Sequence, residues 1–141
     1  TPGPPEPTLV VRWIEALRSY GYNFGMAFQI VDDILDFTGD EAEMGKPVGS
    51  DLMQGTLTLP SLLLIERHPA DNPVHKYFEQ PRKELLAEAV QAIRESDIPQ
   101  ESYEMARGFC AAALEALAAL PEDPARQALH DLTEYVLERR S

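Results

Sequence analysis

Apolar residues recur along this chain at steps of three and four. From Leu9, the positions Val10, Trp13, Leu17, Tyr20, Phe24, Phe28, Val31 and Leu35 keep that rhythm without a break, which predicts one helix from about Thr8 to Phe37. At about eight turns it is long for a small domain. Gly21 and Gly25 fall inside it, each costing about 1 kcal/mol relative to Ala. Close packing against a neighbouring helix is the expected reason, with approach of a substrate as the other reading.

The rest of the pattern is also helical. Thr1 to Pro7, with four prolines and a glycine, reads as an extended lead-in or a tight helix connection. Thr38-Gly39-Asp40 stops the first helix, with Gly39 near C′. Glu41 to Gly55, with Gly45, Pro47, Gly49 and Gly55, is the longest irregular segment, and such loops are often functional. Leu59-Pro60-Ser61 opens a short apolar helix, Leu62 to Arg67, with Thr58 expected to cap it and Leu62 to Ile65 in the core. Asp71 to Pro81 reads as polar and broken by its prolines. A helix from about Arg82 to Glu95 carries Leu85, Leu86, Ala89, Val90 and Ile93 on one stripe, and Asp97-Ile98-Pro99 separates it from the next. That next helix, about Glu101 to Leu120, has Met105, Phe109, Ala113, Leu117 and Leu120 at core spacing. A last one, about Ala125 to Arg139, turns Ala128, Leu129, Leu132, Val136 and Leu137 inward. No β alternation or repeat competes, so the expected fold is all-α.

Composition narrows the function classes. The 141 residues are 44% hydrophobic, enough for one folded helical domain or fragment spanning 1–141. A net charge of −12 argues against nucleic-acid binding, which needs a basic footprint. It also implies that any phosphorylated substrate is held through metal ions and a few local cations. Cys110, the single cysteine, sits among Phe109, Ala111 and Ala112 and reads as a small buried hydrophobe. A reducing cytoplasm is the expected compartment. No apolar run reaches the roughly 18 residues of a membrane span, and no signal-peptide pattern is present. A chain starting at Thr1 without Met leaves room for a preceding segment.

One stretch breaks the apolar pattern in a way that invites chemistry. Phe28 to Asp36 places Asp32, Asp33 and Asp36 in one of the most apolar runs of the chain. On a helix, Asp32 and Asp36 share a face, with Phe28 and Gln29 one turn earlier and Asp33 on the adjoining edge. Like charges four apart repel by about 0.2–0.5 kcal/mol, so a compensating cation is expected. With no Lys or Arg adjacent and no His or Cys at ligand spacing, the carboxylates suit a hard, oxygen-seeking ion such as Mg²⁺. A solvated acidic edge is the competing reading. The chain continues Gly45-Lys46-Pro47-Val48-Gly49-Ser50-Asp51-Leu52, then Gly55-Thr56-Leu57-Thr58-Leu59-Pro60, and Lys46 is the only Lys or Arg between Arg18 and Arg67. A lysine framed by Gly and Pro near three carboxylates is placed as a compact charge for phosphate. Asp51 is positioned either to orient metal-bound water or to hold Lys46.

Taken together, Phe28-Gln29-x-x-Asp32-Asp33-x-x-Asp36, Gly45-Lys46-Pro47-x-Gly49-x-Asp51-Leu52 and Thr58-Leu59-Pro60 resemble the second aspartate-rich region of the trans-isoprenyl (polyprenyl) diphosphate synthases. The match runs residue by residue from Gly21 to Pro60, and the remainder matches as a succession of helices. The resemblance implies the C-terminal part of an isoprenoid-synthase-type bundle. It implies Mg²⁺-dependent head-to-tail condensation of an allylic diphosphate with isopentenyl diphosphate. Asp32 would then coordinate Mg²⁺, and Asp33 and Asp36 would be ligands or would hold metal-bound water. Lys46 would contact the allylic diphosphate, Asp51 would assist from behind, and Phe28 and Gln29 would face the reacting ends of the substrates.

Two departures qualify this. Thr56 stands where many members have Lys. Asp32-Asp33 is also the only Asp-Asp pair in the chain, whereas the family's reaction uses two aspartate-rich regions facing each other. The first, with the isopentenyl diphosphate site, is expected in an N-terminal half of the synthase outside this sequence, so the piece alone should not elongate chains. The alternative is a noncatalytic helical partner or regulatory subunit of a synthase. A helical Mg²⁺ phosphohydrolase fits poorly, because His68, His75 and His130 read as surface or helix-end residues. A long first helix without its bundle partners would expose apolar surface, so a homodimer is expected.

Overall fold

The computed structural model describes residues 3–139. Those residues form eight helices and no strand: α1 Pro7–Thr38, α2 Glu41–Met44, α3 Ser50–Met53, α4 Leu59–Arg67, α5 Pro73–Glu79, α6 Lys83–Glu95, α7 Ile98–Leu117 and α8 Pro124–Glu138. The all-α expectation holds. Thr1 and Pro2 of the expected lead-in lie outside the described residues, and Gly3 to Glu6 is non-helical.

Helix α1 is the spine, and α7 is its main partner. Ala27, Ile30, Val31, Ile34 and Leu35 of α1 meet Ala106 and Cys110 of α7 and Val136 of α8 in one core cluster. Phe37, at the end of α1, enters a second cluster with Leu52, Leu63, Leu64, Val74, Tyr77, Ala89, Val90, Ile93 and Ile98. Full burial contributes about 1.5–3 kcal/mol for each side chain such as Val31, Ile34 and Phe37. The second half of α1 is therefore rigidly seated. Nearer its start, Tyr20 packs with Ala113 and Leu117 and donates its hydroxyl to the Leu129 carbonyl at 2.9 Å, tying α8 to α1. Burial pushes the Cys110 thiol up, in keeping with its place in the core.

Several elements differ from the sequence reading, each for a local reason. The Asp71–Pro81 stretch contains α5: Pro73 stands in its first turn, and the Asn72 side chain caps it by accepting from the His75 N–H at 2.9 Å. Proline there starts a helix rather than breaking one. Ile98 and Pro99 likewise open α7. The buried stripe of α7 is Ser102, Ala106, Cys110, Ala113 and Leu117, with Met105 outside, because small residues let α1 and α7 approach closely. Leu62 and Leu132 are also exposed, and Ala128 faces solvent.

Gly21 and Gly25 meet no close neighbour: an added Cβ would find nothing within 4 Å at either position. The helix packing expected of them does not occur within the described residues. Gly39 ends α1 in an extended conformation rather than the left-handed one, and glycine is needed there because a Cβ would lie 2.7 Å from the Leu35 carbonyl oxygen. Thr58 precedes α4 as expected, but its side chain makes no cap bond. No described helix is long and apolar enough to cross a membrane.

Candidate functional site

The carboxylates of α1 do not share one environment. Asp32 and Asp36 are one turn apart, yet Asp36 is 0% exposed, whereas the Asp32 side chain keeps 45% of its exposure. The chain after α1 creates the difference by folding back over Asp36. Ser50 Oγ donates to Asp36 Oδ1 at 2.9 Å, the Asp51 N–H donates to Oδ2 at 3.1 Å, and Lys46 Nζ lies 3.4 Å from Oδ1. The Gly49 N–H closes the wrap by donating to the Asp36 carbonyl at 2.8 Å. Gly49 takes the left-handed conformation, φ 79°, against Val90. That geometry favours glycine strongly.

The loop before it is fixed in the same way. Asp40 caps α2 by accepting from the Ala42 N–H, and Glu41 Oε1 accepts from the Val48 N–H at 3.0 Å. These two anchors are short-range carboxylate-to-backbone bonds, and Leu52 seats the far end of the segment in the core. Lys46 is consequently held at one end by a buried carboxylate, while its side chain remains 44% exposed.

What faces outward is a shallow cleft of about 180 Å³ lined by Asp32, Leu35, Glu43, Met44 and Lys46. Asp33, on the adjoining edge, accepts from Gln29 Nε2 at 2.9 Å. Burial raises the Asp33 carboxyl above the usual range; the Gln29 bond opposes the rise, and Asp51, Asp32 and Asp36 reinforce it. Burial also raises Asp51, with Asp36 adding to the rise and Lys46 opposing it. Carboxylates that resist ionising together mark a place where added positive charge is favourable. The donors are oxygen only, so the arrangement can hold a hard divalent cation.

Phe28 is 41% exposed and continues an aromatic ladder with Phe24, centroids 6.2 Å apart. Three participants escaped the sequence reading. Glu43 lines the cleft, Ser50 holds Asp36, and Arg139 pairs with Asp32 at 2.9 Å from the far end of the chain. For Ser50 a signal existed, since it lies inside the quoted motif. For Arg139, 107 residues away, none did. The Lys46 ion pair found in the structure is with Asp36 rather than Asp51. A larger cleft, about 590 Å³, lies at the end of α1 between Thr38, Val48, Lys83, Leu86 and Arg94 and is lined by none of Asp32, Asp33, Asp36 and Asp51. The half-buried His130 lies on α8 beside the exposed Asp131 and Glu134.

The chain is similar to known proteins along most of its length. Residues 9–95 match the polyprenyl synthetase family. Heptaprenyl diphosphate synthase component 2 of Geobacillus stearothermophilus is 37% identical over 137 residues, covering 97% of this chain and 41% of that protein. Heptaprenyl diphosphate synthase from Staphylococcus aureus superposes with a TM-score of 0.84 at 34% identity, over 91% of this chain and 41% of that one. A polyprenyl synthase from Caulobacter crescentus, solved with calcium and isoprenyl diphosphate, gives 0.80 at 33% identity over 90% and 40%. The chain thus spans about two-fifths of the length of these relatives. Matched over more than half its residues by the family and over nearly all of them by individual members, the chain belongs to the polyprenyl synthetases.

Proposed function

We propose that this chain is the C-terminal part of a polyprenyl diphosphate synthase and supplies one wall of its diphosphate site. The whole enzyme would condense an allylic diphosphate with isopentenyl diphosphate in the cytoplasm, as a homodimer. The observation that carries the reading is the buried Asp36 tie, which holds Lys46 in the same cleft as the half-open Asp32. Asp32 and Asp33 would hold Mg²⁺; Asp36, bonded to Ser50, the Asp51 N–H and Lys46, would position the loop instead of reaching the ion directly, with the Asp51 carboxylate assisting from behind. When bound, Mg²⁺ supplies positive charge to a departing diphosphate. Lys46 adds a fixed charge at the same group, in a setting where its geometry need not reorganise. Phe28 and Gln29, one turn earlier, lie where the reacting ends of the substrates would meet the wall. The apolar face of α1 would keep water from a carbocation.

The cleft at Asp32 is only about 180 Å³, below the roughly 300–1,000 Å³ of ordinary ligand pockets. That supports a site completed by further chain. Calorimetry with Mg²⁺ and inorganic pyrophosphate tests the wall directly. Binding should require Mg²⁺, disappear in Asp32→Asn/Asp33→Asn, and weaken about tenfold or more in Lys46→Ala, the loss of one charged hydrogen bond. Elongation by the chain alone with both diphosphates would overturn the incomplete-site reading.

The competing reading is a noncatalytic helical partner or regulatory subunit of a synthase. It draws on the exposed Val11, Ile14, Leu17 and Tyr22 of α1, an apolar face suited to association. It requires no diphosphate binding, so the same titration separates the two.

A further inference from the structure

The repelling carboxylates of α1 call for compensating cations, and the structure provides two of different kinds. Lys46 serves the sealed Asp36. The half-open Asp32 is served by Arg139, whose Nη2 lies 2.9 Å from Asp32 Oδ1. Resting on the metal reading of Asp32, we propose that Arg139 is a displaceable counter-ion: it holds the Asp32 carboxylate in the metal-free protein and must leave that oxygen when a divalent cation binds.

Three observations support a built seat. The Arg139 side chain is only 11% exposed, against 45% for Asp32, so the guanidinium is covered while the carboxylate stays open to the cleft. Its carbon sits 4.1 Å from the centroid of the Phe28 ring, one turn before Asp32 on the same helix. A guanidinium on an aromatic face keeps favourable contact even when its carboxylate is taken away. Arg139 also lies just past the end of α8, in extended backbone, while the buried residues of that helix are Thr133 and Val136. Its backbone therefore lies outside the regular helix.

The chemistry is competition for one oxygen. Guanidinium stays protonated at every working pH, so deprotonation cannot vacate the position; only a rival cation can. A divalent ion at Asp32 would also meet the positive charge of Arg139 at close range. The metal-free site is thus kept from repelling itself, and metal binding is weakened by the work of moving the arginine aside. Metal accompanied by a diphosphate competes better than metal alone.

The test is Mn²⁺ binding, read as loss of the free-ion EPR signal, for the wild-type chain and for Arg139→Gln, Arg139→Lys and Asp32→Asn, with circular dichroism confirming the fold. Arg139→Gln should bind Mn²⁺ about fivefold more tightly, the scale of a partly exposed ion pair with a cation–π contact. Arg139→Lys should fall between, since it keeps the charge and loses the planar stack. Added to Asp32→Asn, the Arg139→Gln change should have no further effect. Equal or weaker Mn²⁺ binding by Arg139→Gln overturns the counter-ion role and leaves the metal site standing. Absence of Mn²⁺ binding in both proteins overturns the metal reading of Asp32 and the counter-ion role with it.

Discussion

Removing the Asp36 carboxylate asks whether this group serves the fold or the ligand. In Asp36→Ala the Ser50 hydroxyl and the Asp51 N–H lose their acceptor and Lys46 loses its partner. Each donor stranded in a buried place costs about 1–3 kcal/mol, while relief of repulsion from Asp32 returns only about 0.2–0.5 kcal/mol. The net loss should be about 3 kcal/mol, a large part of the roughly 5–15 kcal/mol that holds a domain together. In Asp36→Asn the remaining oxygen can still accept from Asp51, and the new amide can donate to Ser50 Oγ, so the loss should be about 1 kcal/mol. Ser50→Ala, which removes one bond and leaves the charges intact, should also cost about 1 kcal/mol. Urea denaturation followed by far-UV circular dichroism gives all three. A carboxylate held in reserve for a metal would behave oppositely, its neutralisation stabilising the metal-free protein. An Asp36→Asn variant more stable than wild type would therefore refute the structural tie and return Asp36 to direct ligation.

Other perturbations read neighbouring parts of the argument. Asp33→Asn should raise stability at neutral pH, because burial and three nearby carboxylates oppose its ionisation; a loss in the same urea assay would mean its charge is already compensated. Gly49→Ala should cost about 2 kcal/mol, combining the left-handed conformation with overpacking, since the new Cβ would lie 2.9 Å from Val90 Cγ2. Gly45→Ala, equally left-handed but with open space around it, should cost about 1 kcal/mol, and thermal unfolding ranks the two. On the other side of the bundle, the hydrogen bond from Arg67 holds the Asp97 carboxyl below its usual range. A lowered folded-state value means that this contribution is present above the ordinary carboxylate range and is lost as pH falls through the depressed value. The stability gap between wild type and Asp97→Asn should then close on acidification, and a gap independent of pH would show that the pairing does not report charge.

Much of the architecture was legible in one dimension because helices repeat locally. The limits of α1 follow from a rhythm that the structure extends by one residue at each end, and the stripe of α6 is buried at Ala89, Val90 and Ile93 as its spacing implies. The linked motif of carboxylates, Lys46 and Asp51 was legible too, since its parts lie close in sequence and fold onto one another through short loops. Proline misled at α5 and α7, where its meaning depends on whether the residue before it caps a helix or ends one.

What the tertiary structure alone decided is the division of labour among identical side chains. Asp32 and Asp36 are equivalent by helical phase, and no periodicity says which is sealed under Ser50 and Lys46 and which is left half-open to Arg139. Hydrophobic pattern determines which face of a helix turns inward. The pairing of a buried charge depends on where distant backbone and side-chain donors come to rest, and those positions exist only once the chain has folded.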